Sequence, residues 1–244
     1  MISIAIPAFN EEKNIAAAVA AILAGVKAAG DFPVEIIIVD DGSTDGTPGE
    51  IRALERTHPF VRSIRHERNM GFGASFKDAI TAAKYPKICL FAGDNITTPY
   101  TVMNLLKHRD EADLVVAYCL NTEVRSTFRS GLSTIFNLIY CVVFGVHMKY
   151  LQGTPCYPVA RLRELNLRTN GPGLLAEINV KLLRGGATFM EIDGYFNPER
   201  QINAPIRIYS LAQALGAFLT LVYEIHFGSR SRYGRTPRRI IPAL

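Results

Sequence analysis

Polar side chains that could bind a nucleotide follow three apolar segments in the first hundred residues. They lie in the stretches PAFNEE at residues 7–12, DDGSTDGT at residues 40–47 and AGDN at residues 92–95. Carboxylate and amide oxygens accept hydrogen bonds from the N–H groups of uracil or guanine and from ribose hydroxyls. The adjacent carboxylates Asp40 and Asp41 are costly at the end of a buried strand unless they are exposed or have partners, which favours a binding role.

The PAFNEE stretch also has a simpler interpretation. Asn10 can accept hydrogen bonds from the free N–H groups of a helix N-terminus, where Glu11 and Glu12 are favoured by the helix dipole. The polar pattern at residues 7–12 therefore fits an ordinary helix start as well as a binding loop.

The elements that must position these loops alternate between strand and helix. Strands are predicted at residues 2–7, 34–39, 61–65 and 88–91, and helices at residues 14–27, 48–56, 74–84 and 101–110. Runs of β-branched residues separated by helices predict an α/β fold with a mostly parallel sheet that is covered on both faces. Ligands bind beyond the carboxyl ends of such strands, so the polar loops are expected on one rim.

Composition limits the possible partners. The chain has 244 residues, of which 48% are hydrophobic, enough for one large domain with a full core. A net charge of +5 favours anions such as phosphates, nucleotides or an acidic membrane face. No nucleic-acid-binding motif accompanies the charge and the sequence has no Trp, so no nucleic acid partner is expected.

The cysteines and the N-terminus indicate the compartment. Cys89, Cys119, Cys141 and Cys156 are scattered without metal-binding spacing, which is typical of reduced cysteines in the cytoplasm. The first residues lack both a basic region and a signal-length apolar stretch, so no secretory signal is expected.

Two apolar segments dominate the second half of the chain. Residues 132–146 are flanked by Arg125, Arg129 and Lys149, and residues 208–222 precede an arginine-rich tail. Both segments are shorter than the ~20 residues that cross a bilayer, so no membrane span is predicted. The first is predicted as an interfacial or a core helix. The second fits a helix on an anionic leaflet as well as one packed on the sheet.

The order of the motifs resembles a known family. The PAFNE and VDDGSTDGT stretches lie about 30 residues apart and resemble the opening of family-2 glycosyltransferases with the GT-A fold. Asn69-Met70-Gly71 matches the family's next loop. Phe76 stands where a dinucleotide fingerprint needs its third glycine, so that alternative is discounted. Over residues 2–205 the chain is most similar to the dolichol-phosphate mannose synthase-like, or polyprenyl-phosphate glycosyltransferase, branch.

The resemblance implies a domain organisation. Residues 1–205 would form a GT-A domain with a Rossmann-like sheet. Residues 1–120 would be its nucleotide-sugar half and residues 121–205 its acceptor half. Residues 206–244 would form an amphipathic helix and a basic tail at the cytoplasmic face of the membrane. A homodimer is one option for the oligomeric state.

The resemblance also implies roles for the site residues. Asp94 with Asn95 would address the diphosphate or its Mg²⁺ or Mn²⁺, and Arg125, Arg129 and Arg200 would draw in the acceptor phosphate. The nucleotide-sugar-binding residues would be Pro7, Ala8, Asn10, Glu11, Asp40, Asp41, Gly42, Ser43, Asn69, Gly71 and Asn95. The donor would be a UDP- or GDP-sugar and the acceptor a polyprenyl phosphate. The phosphate is largely ionised at neutral pH, so inverting transfer to it needs no strong base.

The chain departs from the family where a metal would bind. Of the two aspartates in the D-x-D motif, the first is Ala92 and the second is Asp94. Mg²⁺ needs only one or two carboxylates when substrate phosphates complete its coordination, so Asp94 alone could still hold it. Arg68, Lys77 or Arg200 could instead supply the positive charge.

Two alternatives to lipid-phosphate transfer stay open. In the first, the acceptor is a soluble hydroxyl, and Glu177 or Asp193 serves as the base. In the second, the chain binds a nucleotide sugar without catalysis because its metal motif has been lost.

Overall fold

The computed structural model describes residues 1–121, 127–171, 173–199, 208–228 and 230–241. For residues 127–129, 208–213 and 230 it describes the backbone alone. Arg125 and Arg200 therefore lie outside the described residues. Arg129 is described only as part of a helix.

The first half of the chain alternates strands and helices as predicted. The elements are β1 (Ile2–Ala8), α1 (Ile15–Ala29), β2 (Val34–Asp40), α2 (Thr47–Thr57), β3 (Val61–Arg65), α3 (Phe72–Ala82), β4 (Lys87–Leu90) and α4 (Pro99–Lys107). The predicted elements are confirmed, with ends that differ by up to a few residues. The alternation arises because β-branched runs such as Ile36-Ile37-Ile38 favour strands, whereas Ala-rich α1 favours helix.

The second half adds the remaining strands and a layer of helices. These elements are β5 (Leu114–Cys119), α5 (Thr127–Phe144), β6 (Thr154–Pro158), α6 (Val159–Arg163), α7 (Leu174–Arg184), β7 (Thr188–Gly194), α8 (Ile208–Tyr223), a π-helical turn (Glu224–Gly228), α9 (Arg230–Tyr233) and β8 (Arg238–Arg239). The two apolar segments of the sequence lie largely within α5 and α8. No helix in the described ranges combines the length and the apolar character needed to cross a membrane.

The strands form one eight-stranded sheet in the order β3-β2-β1-β4-β6-β5-β7-β8. Strands β3, β2, β1 and β4 are parallel, and β6 runs antiparallel to both of its neighbours. Ala8 pairs with Asp40, and Asp40 pairs with Arg65. This register brings the carboxyl ends of the four parallel strands to one edge of the sheet.

Alternate residues of each central strand enter separate cores on the two faces of the sheet. Ile36 and Ile38 of β2 pack with residues of α1 and α4, whereas Ile37 and Val39 pack with residues of α3 and α7. Both faces are therefore dry, which explains why the strands are continuously apolar instead of alternating.

Helix α8 packs against both α5 and α7. The ring of Phe218 lies 5.1 Å from that of Tyr140 and 5.7 Å from that of Phe144. The Glu224 carboxylate, directly after α8, lies 2.9 Å from Nζ of the buried Lys181 in α7. Aromatic packing and an ion pair therefore fix α8 over the helices that cover the sheet.

The described part of the basic tail lies against the edge of the sheet. Strand β8 pairs with the start of β7, and the Arg239 guanidinium donates to the buried carboxylate of Glu191 over 2.6 Å. Arg232 donates to the carbonyl of Glu164.

Candidate functional site

The loops that follow β1 and β2 are joined by reciprocal hydrogen bonds. The N–H of Asp41 donates to the carbonyl of Ala8 over 2.8 Å, and the N–H of Asn10 donates to Ser43 Oγ over 3.0 Å. Asn10 Oδ1 in turn accepts from the N–H of Thr44 over 2.9 Å. Asn10 adopts a φ of 57°, a conformation that Asn tolerates better than most residues. The two predicted binding stretches therefore form one structural unit.

A second set of contacts extends this unit to α2. The N–H of Glu11 donates to Thr47 Oγ1 over 2.7 Å, and the N–H of Gly46 donates to the Glu12 carboxylate over 3.0 Å. The Asp45 carboxylate accepts from the Glu12 and Thr47 N–H groups. The sequence interpretation gave Asp45 and Thr47 no individual role and gave Glu12 only a place at a helix start. An Asp two residues before the Thr at the start of a helix was the available signal, because such side chains commonly bond the following backbone.

Asp40 is the most deeply buried acidic residue of the rim, with 2% of its surface exposed. One carboxylate oxygen accepts from the N–H of Ser43 over 2.9 Å. Within the described part of the chain the other oxygen, Oδ2, has no hydrogen-bond partner, although Arg65 Nε lies 3.4 Å from it. The guanidinium of Arg65 is more than half exposed, so its charge contributes little to satisfying this oxygen. Asp40 therefore retains an acceptor that a ligand N–H could satisfy.

Asp41 has protein partners for both oxygens. Its Oδ1 accepts from the N–H of Met70 and its Oδ2 from the N–H of Gly71, each over 2.8 Å. The same Oδ1 lies 2.7 Å from His66 Nδ1, and His66 Nε2 lies 2.9 Å from the Asp78 carboxylate. Asp41 thereby fixes the loop that contains Asn69 and Gly71.

His66 is positioned to be charged. Both ring nitrogens face carboxylate oxygens, so both must donate a proton to form these bonds. Burial alone disfavours the imidazolium, but the bonds to Asp41 and Asp78 outweigh it and raise the pKa of His66 above its ordinary value. No sequence motif singled out His66.

Two glycines of the predicted site are required by the backbone. Gly42 has a φ of +74°, and a Cβ there would lie 2.4 Å from the carbonyl carbon of Arg68. Gly71 has a φ of +94°, and a Cβ there would lie 2.8 Å from the carbonyl oxygen of Asn170. Both the positive φ and the close approach exclude a side chain.

The loop that contains Asn170 is fixed by a buried ion pair. The Glu177 carboxylate accepts from the N–H groups of Arg168 and Thr169, and Lys181 Nζ lies 2.8 Å from it. Burial alone would raise the pKa of Glu177, but Lys181 and the N–H donors lower it below its ordinary value. Asn170 then accepts from the N–H of Gly73 over 2.9 Å, which connects this loop to the start of α3.

Asp94 and Asn95 follow β4, next to the end of β1. The N–H of Gly93 donates to the carbonyl of Pro7 over 3.1 Å, and Asp94 Oδ1 accepts from the N–H of Ile96 over 3.1 Å. Asn95 has a φ of 60°, and its carbonyl accepts from the side chain of Asn197 over 3.2 Å. The chain that follows β7 therefore lies beside Asp94.

The acidic residues of the rim do not form a complete metal site by themselves. The described residues contain no group of three or more His, Cys, Asp or Glu side chains that could hold a metal ion. Asp94 and the side-chain oxygen of Asn95 fit a cation that takes most of its ligands from a bound diphosphate and water. They do not fit one held by protein ligands alone.

A pocket of about 230 Å³ lies on the other side of the rim, between the end of β5 and α5. Its lining includes Tyr118, Ser133, Asn137 and Lys149. Lys149 Nζ donates to the Tyr118 hydroxyl over 2.7 Å and lies 4.1 Å from the centre of the Tyr118 ring. The pocket therefore offers hydroxyl groups and one cation to a ligand.

Glu177 and Asp193, the two carboxylates that could serve as the catalytic base for a soluble acceptor, already accept hydrogen bonds within the protein. Glu177 accepts from two backbone N–H groups and from Lys181. Asp193 accepts from the Tyr100 hydroxyl over 2.7 Å and from Asn104 Nδ2 over 3.2 Å.

The predicted nucleotide-binding residues thus lie in loops at one edge of the sheet, joined by hydrogen bonds. Asp94 is connected to them through Gly93 and Pro7. The predicted acceptor-phosphate residues Arg125 and Arg200, and the side chain of Arg129, lie outside the described residues.

Comparison with known sequences relates the chain to a family. It matches the family model described as Glycosyl transferase family 2 over residues 3–164. An uncharacterized protein of Mycobacterium tuberculosis is 39% identical over 82 residues, so the match covers 33% of this chain and 24% of that protein. Dodecaprenyl-phosphate galacturonate synthase of Rhizobium johnstonii is 30% identical over 152 residues, which are 60% of this chain and 44% of that protein. The chain thus matches less than half the length of either relative.

Comparison with solved structures identifies the fold. Glucosyl-3-phosphoglycerate synthase from Mycobacterium tuberculosis, in complex with Mn²⁺, uridine diphosphate and phosphoglyceric acid, has a TM-score of 0.68 and 20% sequence identity. The match covers 91% of this chain and 78% of that one. At this identity the likeness shows the fold alone, and the predicted GT-A fold is confirmed.

Proposed function

Since the chain belongs to glycosyl transferase family 2, we propose that it moves a sugar from a nucleoside diphosphate sugar to a polyprenyl phosphate, with inversion at the anomeric carbon. The observation that carries the donor part is the buried carboxylate of Asp40, whose Oδ2 has no hydrogen-bond partner among the described residues. A buried, unsatisfied acceptor is costly, and the N–H of a uracil or guanine would relieve that cost.

In the proposed donor complex some rim residues contact the nucleotide, and others hold the binding loops in place. Asp40 accepts from the base, and Glu11 lies in the adjoining loop toward the ribose. Asp41 supports the loop at Asn69 and Gly71 because its oxygens already accept from Met70, Gly71 and His66. Uridine diphosphate in the structurally similar synthase supports a uridine donor.

The diphosphate is proposed to lie beside Asp94 and Asn95. A bound Mg²⁺ or Mn²⁺ would neutralise the charge that develops on the leaving nucleoside diphosphate. Asp94 is then the chain's carboxylate ligand, and the substrate supplies most of the coordination. Arg200, which the resemblance assigns to the phosphates, is proposed to supply further positive charge.

The acceptor is proposed to be a lipid phosphate held by Arg125, Arg129 and Arg200. A phosphomonoester is largely ionised at neutral pH and needs positioning more than a base. That requirement agrees with the hydrogen bonds that already engage Glu177 and Asp193. The name of the Rhizobium johnstonii relative supports the same class of acceptor.

In this proposal residues 1–120 bind the donor and residues 121–205 bind the acceptor. Residues 206–244 would keep the chain at the cytoplasmic face of a membrane.

Transfer to a soluble acceptor is the second candidate. The structurally similar synthase was solved with phosphoglyceric acid, which carries a phosphate on a water-soluble molecule. The pocket beside Lys149 could accept such an anion. Nucleotide-sugar binding without any transfer is the third candidate, because Ala92 replaces the first aspartate of the metal motif.

One series of measurements separates these candidates. Thermal shift with UDP-, GDP- and dTDP-sugars, each with and without Mn²⁺, identifies the donor. Transfer of the radiolabelled sugar is then compared between a polyprenyl phosphate and phosphoglyceric acid. The proposal predicts label in the lipid, and label in the soluble acceptor alone would refute it.

Asp40→Asn tests the observation on which the donor proposal depends. The change removes the charge of the acceptor, so the affinity for the nucleotide should fall about tenfold or more. Asp31→Asn is the matched control because Asp31 is exposed and precedes the first residue of β2, whereas Asp40 is the last residue of that strand. Equal affinities in the two variants would contradict the role given to Asp40.

A further inference from the structure

We infer that the transferred sugar carries a carboxylate, and that Lys149 binds this carboxylate in the pocket of about 230 Å³ between the end of β5 and α5. We call this cavity the Lys149 pocket. The inference rests on the proposed function, because it needs a nucleoside diphosphate sugar as the donor. It goes beyond that function by naming the class of sugar, a uronic acid, and the residue that selects it.

Lys149 is held in place at its backbone and at its ammonium group. Its N–H donates to the buried carboxylate of Glu191, and its carbonyl accepts from Asn137 Nδ2 over 3.2 Å. Its Nζ donates to the Tyr118 hydroxyl over 2.7 Å and lies 4.1 Å from the centre of the Tyr118 ring. Ordering a long lysine side chain costs conformational entropy. Because this lysine is already ordered, a ligand can bind it with less of that loss.

The charge of Lys149 is not neutralised by a carboxylate of the described part of the chain. The ion pairs among the described residues do not include Lys149. Glu191, which accepts from its backbone N–H, is paired with Arg239 instead. Lys149 is exposed and lines the pocket, so an anion in the pocket can reach its ammonium group. The pocket therefore favours a ligand with a negative charge.

The wall of the pocket that α5 forms contains an unsatisfied hydroxyl group. Ser130 lines the pocket, and its Oγ is buried without a hydrogen-bond partner among the described residues. A hydroxyl both donates and accepts, and leaving a buried one unpaired is costly. A sugar acid has hydroxyl groups that could pair with Ser130 and a carboxylate that could pair with Lys149. One ligand of this class would therefore satisfy both groups.

One short segment connects the Lys149 pocket to the loop that contains Asp94. Phe196 lines the pocket, and the next residue, Asn197, donates from its side chain to the carbonyl of Asn95 over 3.2 Å. The side chain of Asn121 fixes this segment, because it accepts from the N–H of Phe196 and donates to its carbonyl, each over 2.8 Å. The proposed diphosphate lies beside Asp94 and Asn95. The sugar attached to it can therefore extend along this segment into the pocket.

The size of the pocket limits what the ligand can be. A volume of about 230 Å³ is below the usual range of ligand pockets, so it suits one sugar ring better than a longer chain. Side-chain carboxylates are ionised at neutral pH, and we expect the same of a sugar carboxylate.

The phosphates of the proposed reaction have other partners. The diphosphate is assigned to Asp94 and its metal ion, and the acceptor phosphate to Arg125, Arg129 and Arg200. A carboxylate on the transferred sugar therefore accounts for Lys149 without a change to those roles. A phosphate on a soluble acceptor is the other source of negative charge, and the two sources predict different binding results.

Calorimetric titration with nucleotide sugars in the presence of Mn²⁺ tests the inference. UDP-glucuronate and UDP-galacturonate are compared with UDP-glucose and UDP-galactose, and GDP-mannuronate with GDP-mannose. The wild-type chain should bind a sugar acid roughly tenfold or more tightly than its neutral counterpart, because only the acid forms a charge-assisted hydrogen bond with Lys149. Lys149→Gln should remove this preference and leave the affinity for UDP or GDP alone unchanged.

Two further variants serve as controls, and circular dichroism checks that each one folds. Lys149→Arg keeps the charge and should keep most of the preference. Lys107→Gln removes an exposed lysine at the end of α4 and should change nothing.

Four results would overturn the inference. They are equal affinities of the wild-type chain for acid and neutral sugars, a preference that persists in Lys149→Gln, an equal loss in Lys107→Gln, and binding of phosphoglyceric acid alone that Lys149→Gln abolishes. The last result would assign the pocket to a soluble acceptor. If no nucleotide or nucleotide sugar bound at all, the proposed function would fail and this inference with it. Selective binding of a sugar acid without transfer would count against the proposed function alone.

Discussion

Replacing Asp41 by Asn should loosen the loop at residues 69–71 without changing the shape of the side chain. Asp41 accepts from the N–H groups of Met70 and Gly71, and from His66. An asparagine has a single side-chain oxygen. If that oxygen keeps the position of Oδ1, its NH₂ group faces the N–H of Gly71, donor against donor.

The magnitude follows from these contacts. A hydrogen bond to a charged group is worth about 1.5–3 kcal/mol, and a buried donor without a partner costs about 1–3 kcal/mol. The two effects overlap, because both concern the Gly71 N–H. We therefore expect Asp41→Asn to lower the free energy of unfolding by about 3 kcal/mol, a large part of the stability of a typical domain.

The pH dependence of this loss has a defined sign. The pKa of His66 is raised in the folded chain above its ordinary value near 6.5, so its contribution is complete below about pH 6.5. The contribution disappears as the pH rises through the folded-state pKa. The difference in free energy of unfolding between wild type and Asp41→Asn should therefore become smaller as the pH rises through that pKa.

Urea unfolding followed by circular dichroism measures the effect, since the chain has no Trp for fluorescence. Asp31→Asn is the control, because Asp31 is exposed and has a φ of 50° that Asn also tolerates. A decrease in the free energy of unfolding below about 1 kcal/mol at pH 6, or one equal to that of the control, would show that Asp41 does not stabilise the loop at residues 69–71.

Three further perturbations test other parts of the site. Asp94→Ala should abolish sugar transfer and leave thermal unfolding nearly unchanged, and full turnover in a radiolabel assay would remove Asp94 from the mechanism. Gly71→Ala should destabilise the chain by about 2 kcal/mol, because its φ is +94° and Asn170 leaves no room for a Cβ. Gly49→Ala, in a helix with open space, should stabilise it by about 0.5–1 kcal/mol. In urea melts, equal effects at the two glycines would contradict this account. The pKa of Glu177 is lowered in the folded chain, so its stabilisation is present above about pH 4.3 and is lost as the pH falls through the folded-state pKa. Glu177→Gln should remove this acid sensitivity, and unfolding curves measured at a series of acidic pH values would reveal it if it remained.

Local sequence patterns predicted the first half of the fold. The β-branched run at Ile36-Ile37-Ile38 is a strand because both faces of β2 are buried, and that information is present in the run itself. The positions of the polar loops followed from the parallel arrangement, since parallel strands end at a common edge.

The contacts that order the site depend on distant parts of the chain and were not predictable in the same way. His66 lies 25 residues from Asp41, and Asn170 meets Gly71 across about 100 residues. Strand β6 contains Pro155 and Pro158, which locally argue against a central strand, yet it lies between β4 and β5. The Glu177–Lys181 spacing was visible in the sequence, but its burial was not.

Under the proposed function, the loss of the first aspartate of the metal motif should affect turnover more than donor recognition. The loops after β1 and β2 are held by Asn10, Ser43 and Thr47, and none of their described contacts involves the side chain at position 92. Replacing an aspartate by Ala92 therefore leaves the proposed base-binding carboxylate of Asp40 in place. In the proposed mechanism the change would instead weaken stabilisation of the leaving diphosphate, where one charged group is worth a few kcal/mol in a dry site. Nucleotide affinity should consequently survive the removal of Asp94, whereas the rate of transfer should not. If Asp94→Ala lost nucleotide affinity as well as transfer, the donor would be bound mainly through its diphosphate. The role proposed for Asp40 would then be wrong.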